Sequence, residues 1–212
     1  MRRKPLPKMP WRLACLTMAW LAVANGSRAD ELLQAAQMAR AEELIAGRCF
    51  LCHGATGESS SPLYPKIAGQ HPEYILKQLK NFKSGERQSN DMRKVVPHLN
   101  EADMEALAFF LSRQKVSPGN SAFPEMRAMG EKVYTQGNPA SGVPPCSKCH
   151  GEKGAGSEKL PRIASQHTLY IETQLALFEE RKRTNDNAQM QEIANKMSQD
   201  EIRAVAEYLS GL

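Results

Sequence analysis

The chain has 212 residues, enough for one large or two small domains, and its formal net charge of +5 would suit an acidic partner such as nucleic acid. That excess belongs to the first 29 residues, which hold six Lys/Arg and no Asp/Glu; residues 30–212 carry 22 basic against 23 acidic side chains, a net of −1. The halves balance too, 11 against 11 over 30–115 and 11 against 12 over 116–212, and no basic run interleaved with aromatics remains, so nucleic-acid binding is excluded.

The N-terminus reads as a secretory signal peptide, residues 1–29. Arg2, Arg3, Lys4, Lys8 and Arg12 precede the mostly apolar Leu13 to Ala24, and Ser27-Arg28-Ala29 offers small residues at −3 and −1 for cleavage. Cleavage after Ala24 is the second choice. The apolar run of 12 residues is short of the roughly 20 that a membrane span needs. Cys15 leaves with this segment, and the expected compartment is the bacterial periplasm.

The next stretch, Glu31 to about Arg48, is rich in Ala, Leu and Glu and predicts a helix. It runs into Cys49-Phe-Leu-Cys52-His53, a C-x-x-C-H pentapeptide that recurs as Cys146-Ser-Lys-Cys149-His150. This is the attachment motif of a c-type haem. Residues i, i+3 and i+4 share a helical face, so two sulfurs can reach the two vinyl groups of one porphyrin and the His can take the iron's proximal position. A shared zinc site would need short spacers, and Cys52 and Cys146 lie 94 positions apart. A thioredoxin-like dithiol would need a βαβ context, and no strand pattern appears. All four cysteines beyond the leader belong to these two motifs, which implies two covalent haem c groups, bound through Cys49, Cys52, Cys146 and Cys149 with His53 and His150 as axial ligands.

The motifs anchor a longer repeat at an offset near 97. Pro65-Lys-Ile67-Ala68-Gly-Gln70-His71 falls on Pro161-Arg-Ile163-Ala164-Ser-Gln166-His167, Tyr74, Gln78, Leu79 and Phe82 on Tyr170, Gln174, Leu175 and Phe178, and Met92 on Met190. Each copy reads as three helices. In the first, Pro72 opens the second helix, whose stripe of Tyr74, Ile75, Gln78, Leu79 and Phe82 ends at Gly85, and Asn100 caps the third. In the second, helices are expected from Pro124 to about Thr135, from Thr168 to about Arg183, and from Ser198 to Leu209, where Ser198 and Glu201 form a capping box. The expected division is domain 1 over 30–115, a turn-rich linker over 116–123 and domain 2 over 124–212.

The repeat also selects the sixth iron ligands. Met104 matches Ile202 and Met197 matches Leu99, which marks core positions. Met92 and Met190 are Met in both copies, 39 and 40 residues after His53 and His150, in polar, loop-like stretches suited to cross the distal haem face. The rival pair is His71 and His167, for which hydrogen bonding to backbone or to the neighbouring module is the alternative role. His98, which matches Lys196, is a surface residue on this reading. The carbonyls of Pro65 and Pro161 are candidates to accept the second N–H of each axial His, with Ile67 and Ile163 on the haem edge. At about 90 residues each, the modules are marginal without the apolar bulk of a porphyrin.

These residues resemble dihaem cytochrome c4: the two C-x-x-C-H-G motifs, Pro65 to His71 with Tyr74 and Gln78-Leu79, Gly85-Glu-Arg87, Arg183-Thr-Asn-Asp186, and Glu201 through Gly211. The resemblance covers residues 30–212. It implies an all-α chain of two class I cytochrome c domains related by a pseudo-twofold axis, with His/Met ligation of both irons. It also implies a periplasmic one-electron carrier, peripherally membrane-associated, between a cytochrome bc-type complex and a terminal oxidase. The first Met stretch departs from the second, with Pro97 and His98 where the second has Asn195 and Lys196. A dihaem subunit of a flavocytochrome-type sulfide dehydrogenase shares the plan. A dihaem peroxidase would need an open iron face and a larger pocket.

Overall fold

The computed structural model describes Arg28 and residues 30–212; the signal peptide, its cleavage sites and Cys15 otherwise lie outside the described residues. Those residues are helical, and their sole β pairing is an isolated antiparallel bridge between Asn138 and Val143. No helix among them is long and apolar enough to cross a membrane.

In the first copy, α1 (30–44) continues through a π-helical turn, Ile45–Cys49, into α2 (Phe50–His53). The expected single helix is therefore locally widened just where it delivers the first cysteine. Gly54 follows at φ 74°, a left-handed conformation that glycine takes without a Cβ penalty, and Gly151 repeats it at 79°. Then come α3 (Pro72–Ser84), α4 (Met92–Val95), a 3-10 turn at Val96–His98 and α5 (Glu101–Ser112). In the second copy a 3-10 turn, Pro124–Met126, leads into α6 (Arg127–Gln136), followed by α7 (Ser147–His150), α8 (Thr168–Glu179), α9 (Gln189–Ala194) and α10 (Gln199–Ser210).

The predicted helix ends have their expected causes. Pro72 sits in the first turn of α3, and Gly85 closes it in the left-handed conformation. Asn100 and Asp103 form a capping box on α5, with Asp103 N–H to Asn100 Oδ1 at 2.8 Å and Asn100 N–H to Asp103 Oδ2 at 3.0 Å. Ser198 and Glu201 do the same on α10. Two expectations need correction. Helix α8 stops at Glu179, short of Arg183, because Arg181 turns left-handed (φ 56°) and the N–H groups of Lys182 and Arg183 both fold back onto the Leu177 carbonyl at 2.9 Å. Met92 and Met190 sit in short helices rather than in loops. A side-chain oxygen ahead of each supplies the acceptor that permits the turn: Ser89 Oγ for Met92 N–H and Asp186 Oδ2 for Met190 N–H.

The described residues form two hydrophobic cores, one per copy. The first gathers Leu44, Ile45, Ile75, Leu79, Leu99, Met104, Leu107 and Leu111; the second gathers Val133, Tyr134, Ile171, Leu175, Phe178, Met197, Ile202 and Val205. Met104, Ile202, Leu99 and Met197 are all buried, as the repeat predicts. Each such side chain stabilises its core by about 1.5–3 kcal/mol relative to exposure. Helices α6 and α10 cross so closely that a Cβ on Gly130 would lie 2.0 Å from the Ala204 carbonyl oxygen. The segment between the copies is pinned to α10: Ser121 Oγ–H and Phe123 N–H both donate to the buried Glu207 carboxylate, at 2.6 and 3.1 Å.

Candidate haem-binding sites

Helical turns α2 and α7 place each Cys pair and its His together, and all four thiols are unpaired. Burial raises the Cys49 and Cys146 thiols to about 11, and Cys49 donates to the Leu44 carbonyl. The two imidazoles are held alike. His53 Nδ1 is 3.0 Å from the Pro65 carbonyl and His150 Nδ1 is 3.1 Å from the Pro161 carbonyl. A carbonyl accepts only, so Nδ1 carries the proton and Nε2 keeps a free lone pair. Burial lowers the pKa of both rings, against the opposing pull of the proline carbonyl, so each stays neutral as a ligand must. The sequence expectation for the two proline loops is met in geometry.

The methionines at equivalent positions are partly buried, Met92 packed on the first core and Met190 on the second. Ile67 and Ile163 line the same cores. His71 and His167 are committed elsewhere: His71 Nε2 lies 2.8 Å from the Ala155 carbonyl and His167 Nε2 lies 2.8 Å from the Ser59 carbonyl, each across to the other copy. That is the alternative role weighed against iron binding. His98 is exposed. Among the described residues no group of three or more His, Cys, Asp or Glu is gathered as a metal cluster would require.

A second layer of the site escapes sequence reasoning. Tyr74 and Gln78, which read as part of an apolar stripe, face a polar interface between the copies. Arg87 donates to Gln78 Oε1 (2.7 Å), Tyr170 Oη (2.9 Å) and Gln174 Oε1 (2.9 Å). Arg183 mirrors it, donating to Gln174 Oε1 (2.8 Å) and Tyr74 Oη (2.9 Å). Each guanidinium also lies over its own module's ring, Arg87 on Phe82 at 4.6 Å and Arg183 on Phe178 at 4.5 Å. Asn185 adds an asymmetric tie, its Nδ2 reaching Gln78 Oε1 and Asn81 Oδ1. The available signal was the retention of large polar residues at matching positions of both copies. The reciprocal Arg87–Tyr170 and Arg183–Tyr74 contacts are those of a pseudo-twofold axis.

The donor set fits two c-type haems: paired free thiols on one helical turn, a neutral imidazole with Nε2 available, and a thioether in each core. Arg87 and Arg183 are also buried with hydrogen bonds only to neutral oxygens among the described residues. Such uncompensated cations suit a cofactor that carries carboxylates.

Comparison with known proteins agrees. The cytochrome c family model matches residues 38–115 and 128–212. Cytochrome c4 of Thiocapsa roseopersicina is 42% identical over 170 residues, covering 78% of this chain and 88% of that protein. The thiosulfate dehydrogenase electron acceptor of Thiomonas intermedia is 32% identical, covering 78% of each. The crystal structure of reduced cytochrome c4 from Pseudomonas stutzeri superimposes with a TM-score of 0.78 at 34% identity, covering 82% of this chain and 98% of that one. The chain belongs to the cytochrome c family and, within it, to the dihaem cytochrome c4 proteins, electron carriers with two covalent haem c groups rather than enzymes.

Proposed function

We propose that Cys49 and Cys52 attach one haem and Cys146 and Cys149 the other, with His53 and Met92 ligating the first iron and His150 and Met190 the second. When bound, each haem supplies a one-electron couple; the protein's part is to fix the ligands and exclude water. The observation that carries this reading is the pair of imidazoles, each held through Nδ1 by a proline carbonyl with Nε2 left to bind. Each of the four thiols would hold its haem by adding across a vinyl group, the sulfur bonding one carbon and its proton going to the other, so attachment would consume no oxidant. A Met ligand paired with a His ligand would give each haem a high potential, which suits a carrier downstream in a respiratory chain.

The wider role follows the family. The leader over 1–29 directs export to the periplasm, domains over 30–115 and 124–212 flank the linker 116–123, and the carrier takes electrons from a cytochrome bc-type complex and delivers them to a terminal oxidase, with peripheral membrane association. A second reading, a subunit serving a sulfur-oxidising dehydrogenase, is favoured by the likeness to a thiosulfate dehydrogenase electron acceptor. Turnover of the purified holoprotein with thiosulfate dehydrogenase against a bc-type complex separates them. The ligand assignment is tested by the absorption spectrum: the oxidised protein should show the weak near-infrared sulfur-to-iron band at an intensity for two haems. A high-spin signal, or carbon monoxide binding at one haem, overturns it.

A further inference from the structure

The carbonyl that holds each axial His belongs to a peptide group whose other end is engaged by the opposite module. The Pro65 carbonyl accepts from His53 Nδ1–H, and the N–H of the same peptide, on Lys66, donates to Gln166 Oε1 at 2.9 Å. The Pro161 carbonyl accepts from His150 Nδ1–H, and the N–H of that peptide, on Arg162, donates to Gln70 Oε1 at 2.8 Å. Both glutamines are buried and each makes three hydrogen bonds; Gln70 Oε1 also accepts from His71 N–H and Gln166 Oε1 from His167 N–H, each at 3.1 Å. Gln166 Nε2 donates to the Lys66 carbonyl at 2.8 Å and Gln70 Nε2 to the Arg162 carbonyl at 2.9 Å. The orientation of each side-chain amide follows from its backbone partners, since an N–H must meet the oxygen.

A peptide bond is delocalised, so a hydrogen bond at its N–H shifts electron density to its carbonyl oxygen. The stronger carbonyl draws harder on the imidazole Nδ1–H, and the ring becomes a better donor at Nε2, favouring the oxidised iron. We propose that the two interface glutamines tune the haems crosswise: Gln166, in the second module, sets the first haem through the Pro65–Lys66 peptide, and Gln70, in the first, sets the second through the Pro161–Arg162 peptide. Both are positioning residues, two hydrogen bonds from the iron ligand. The consequence is that separation or strain of the interface, as on docking to a partner, changes both potentials without touching either haem pocket.

This rests on His53 and His150 as axial ligands. The test uses the holoprotein, with each haem's midpoint followed separately by NMR during a redox titration. Gln166→Leu should raise the first haem's potential, a change of about twofold in its reduced-to-oxidised ratio at fixed ambient potential. The His53 Nδ1–H resonance should move upfield while the second haem stays near its parent value. Gln70→Leu should give the mirror image. Gln166→Glu keeps an oxygen before the Lys66 N–H and should leave the first haem at or below its parent potential even if the leucine variant loosens the interface. Equal shifts of both haems in both leucine variants, a shift in the substituted module's own haem, or a rise in the glutamate variant overturns the proposal. Unmoved midpoints with an intact near-infrared band overturn the relay alone; absence of that band in the unsubstituted protein overturns the ligand assignment instead.

Discussion

The hydrogen bonds that hold His53 and His150 to their prolines, and those that Gln70, Gln166, His71 and His167 send to the opposite module, match between the copies to within about 0.1 Å, while the surfaces beside the C-x-x-C-H motifs diverge. Within the motif the first copy has Phe50 and Leu51, 52% and 92% exposed, where the second has Ser147 and Lys148. Two residues before the proline, Leu63 is 70% exposed and its counterpart is Lys159. The approach to the motif differs as well, a π-turn in one and a loop closed by the Asn138–Val143 bridge in the other. What positions His53 and His150 is the same twice over, while what a partner would meet is apolar at one end and charged at the other. Holding the two imidazoles constrains the inside; each outer face is free to suit a different partner.

The largest effect should come from taking away one haem. Cys146→Ala with Cys149→Ala should leave a protein one haem lighter by mass spectrometry, with the second module losing cooperative unfolding while the first keeps its spectrum. Cooperative unfolding of both modules would show that the cores stand without the porphyrin. Next, Gly130→Val forces a side chain into the Ala204 backbone and should cost roughly 3 kcal/mol, confined to the second module. A denaturant melt read at each haem separately measures it; equal loss in both modules would mean they unfold as one unit.

The helix caps give a subtler contrast. Asn100→Ala and Ser198→Ala should each cost about 1 kcal/mol. The acids behind them are held down differently. The Arg40 guanidinium, 2.8 Å from Asp103 Oδ1, keeps that carboxyl below its usual range. Burial alone would raise Glu201, but the Ser198 N–H and the Asn138 side-chain amide bring it lower. Both folded pKa values lie below the unfolded ones, so this stability is complete above about pH 5 and is lost as pH falls through the folded values. Asp103→Asn should flatten the pH 7 to pH 3 change in the first module's midpoint and leave the second unaltered. The smallest effect concerns Ser165, which holds φ 57° where the first copy has Gly69 at 60°. Ser165→Gly should change stability by less than about 1 kcal/mol, because relief of the left-handed strain offsets loss of the hydroxyl's bond to the Leu212 carbonyl. The thermal midpoint checks it.

Much of this was legible in the sequence because it is local. C-x-x-C-H sets its own spacing, Pro72 and Gly85 punctuate α3, and Asn100 and Ser198 announce their caps. The proline carbonyls could be named from a fixed separation of 12 and 11 residues. The interface could not, since nothing in one chain says which polar residues of two copies will face each other. Tyr74 and Gln78 fall at helical spacing among apolar neighbours and so read as core. Their buried partners Arg87 and Arg183 come into view only once the copies are set face to face. Helix α8 ended early for the same reason: the chain turns at Arg181 to bring Arg183 to the axis.

The most direct test of the central claim is the NMR spectrum of the fully reduced holoprotein. Two Met ε-methyl resonances shifted far upfield by the porphyrin ring currents are predicted, one lost in Met92→Ala and the other in Met190→Ala. A single shifted methyl, or two that survive either substitution, would contradict His/Met ligation at both irons.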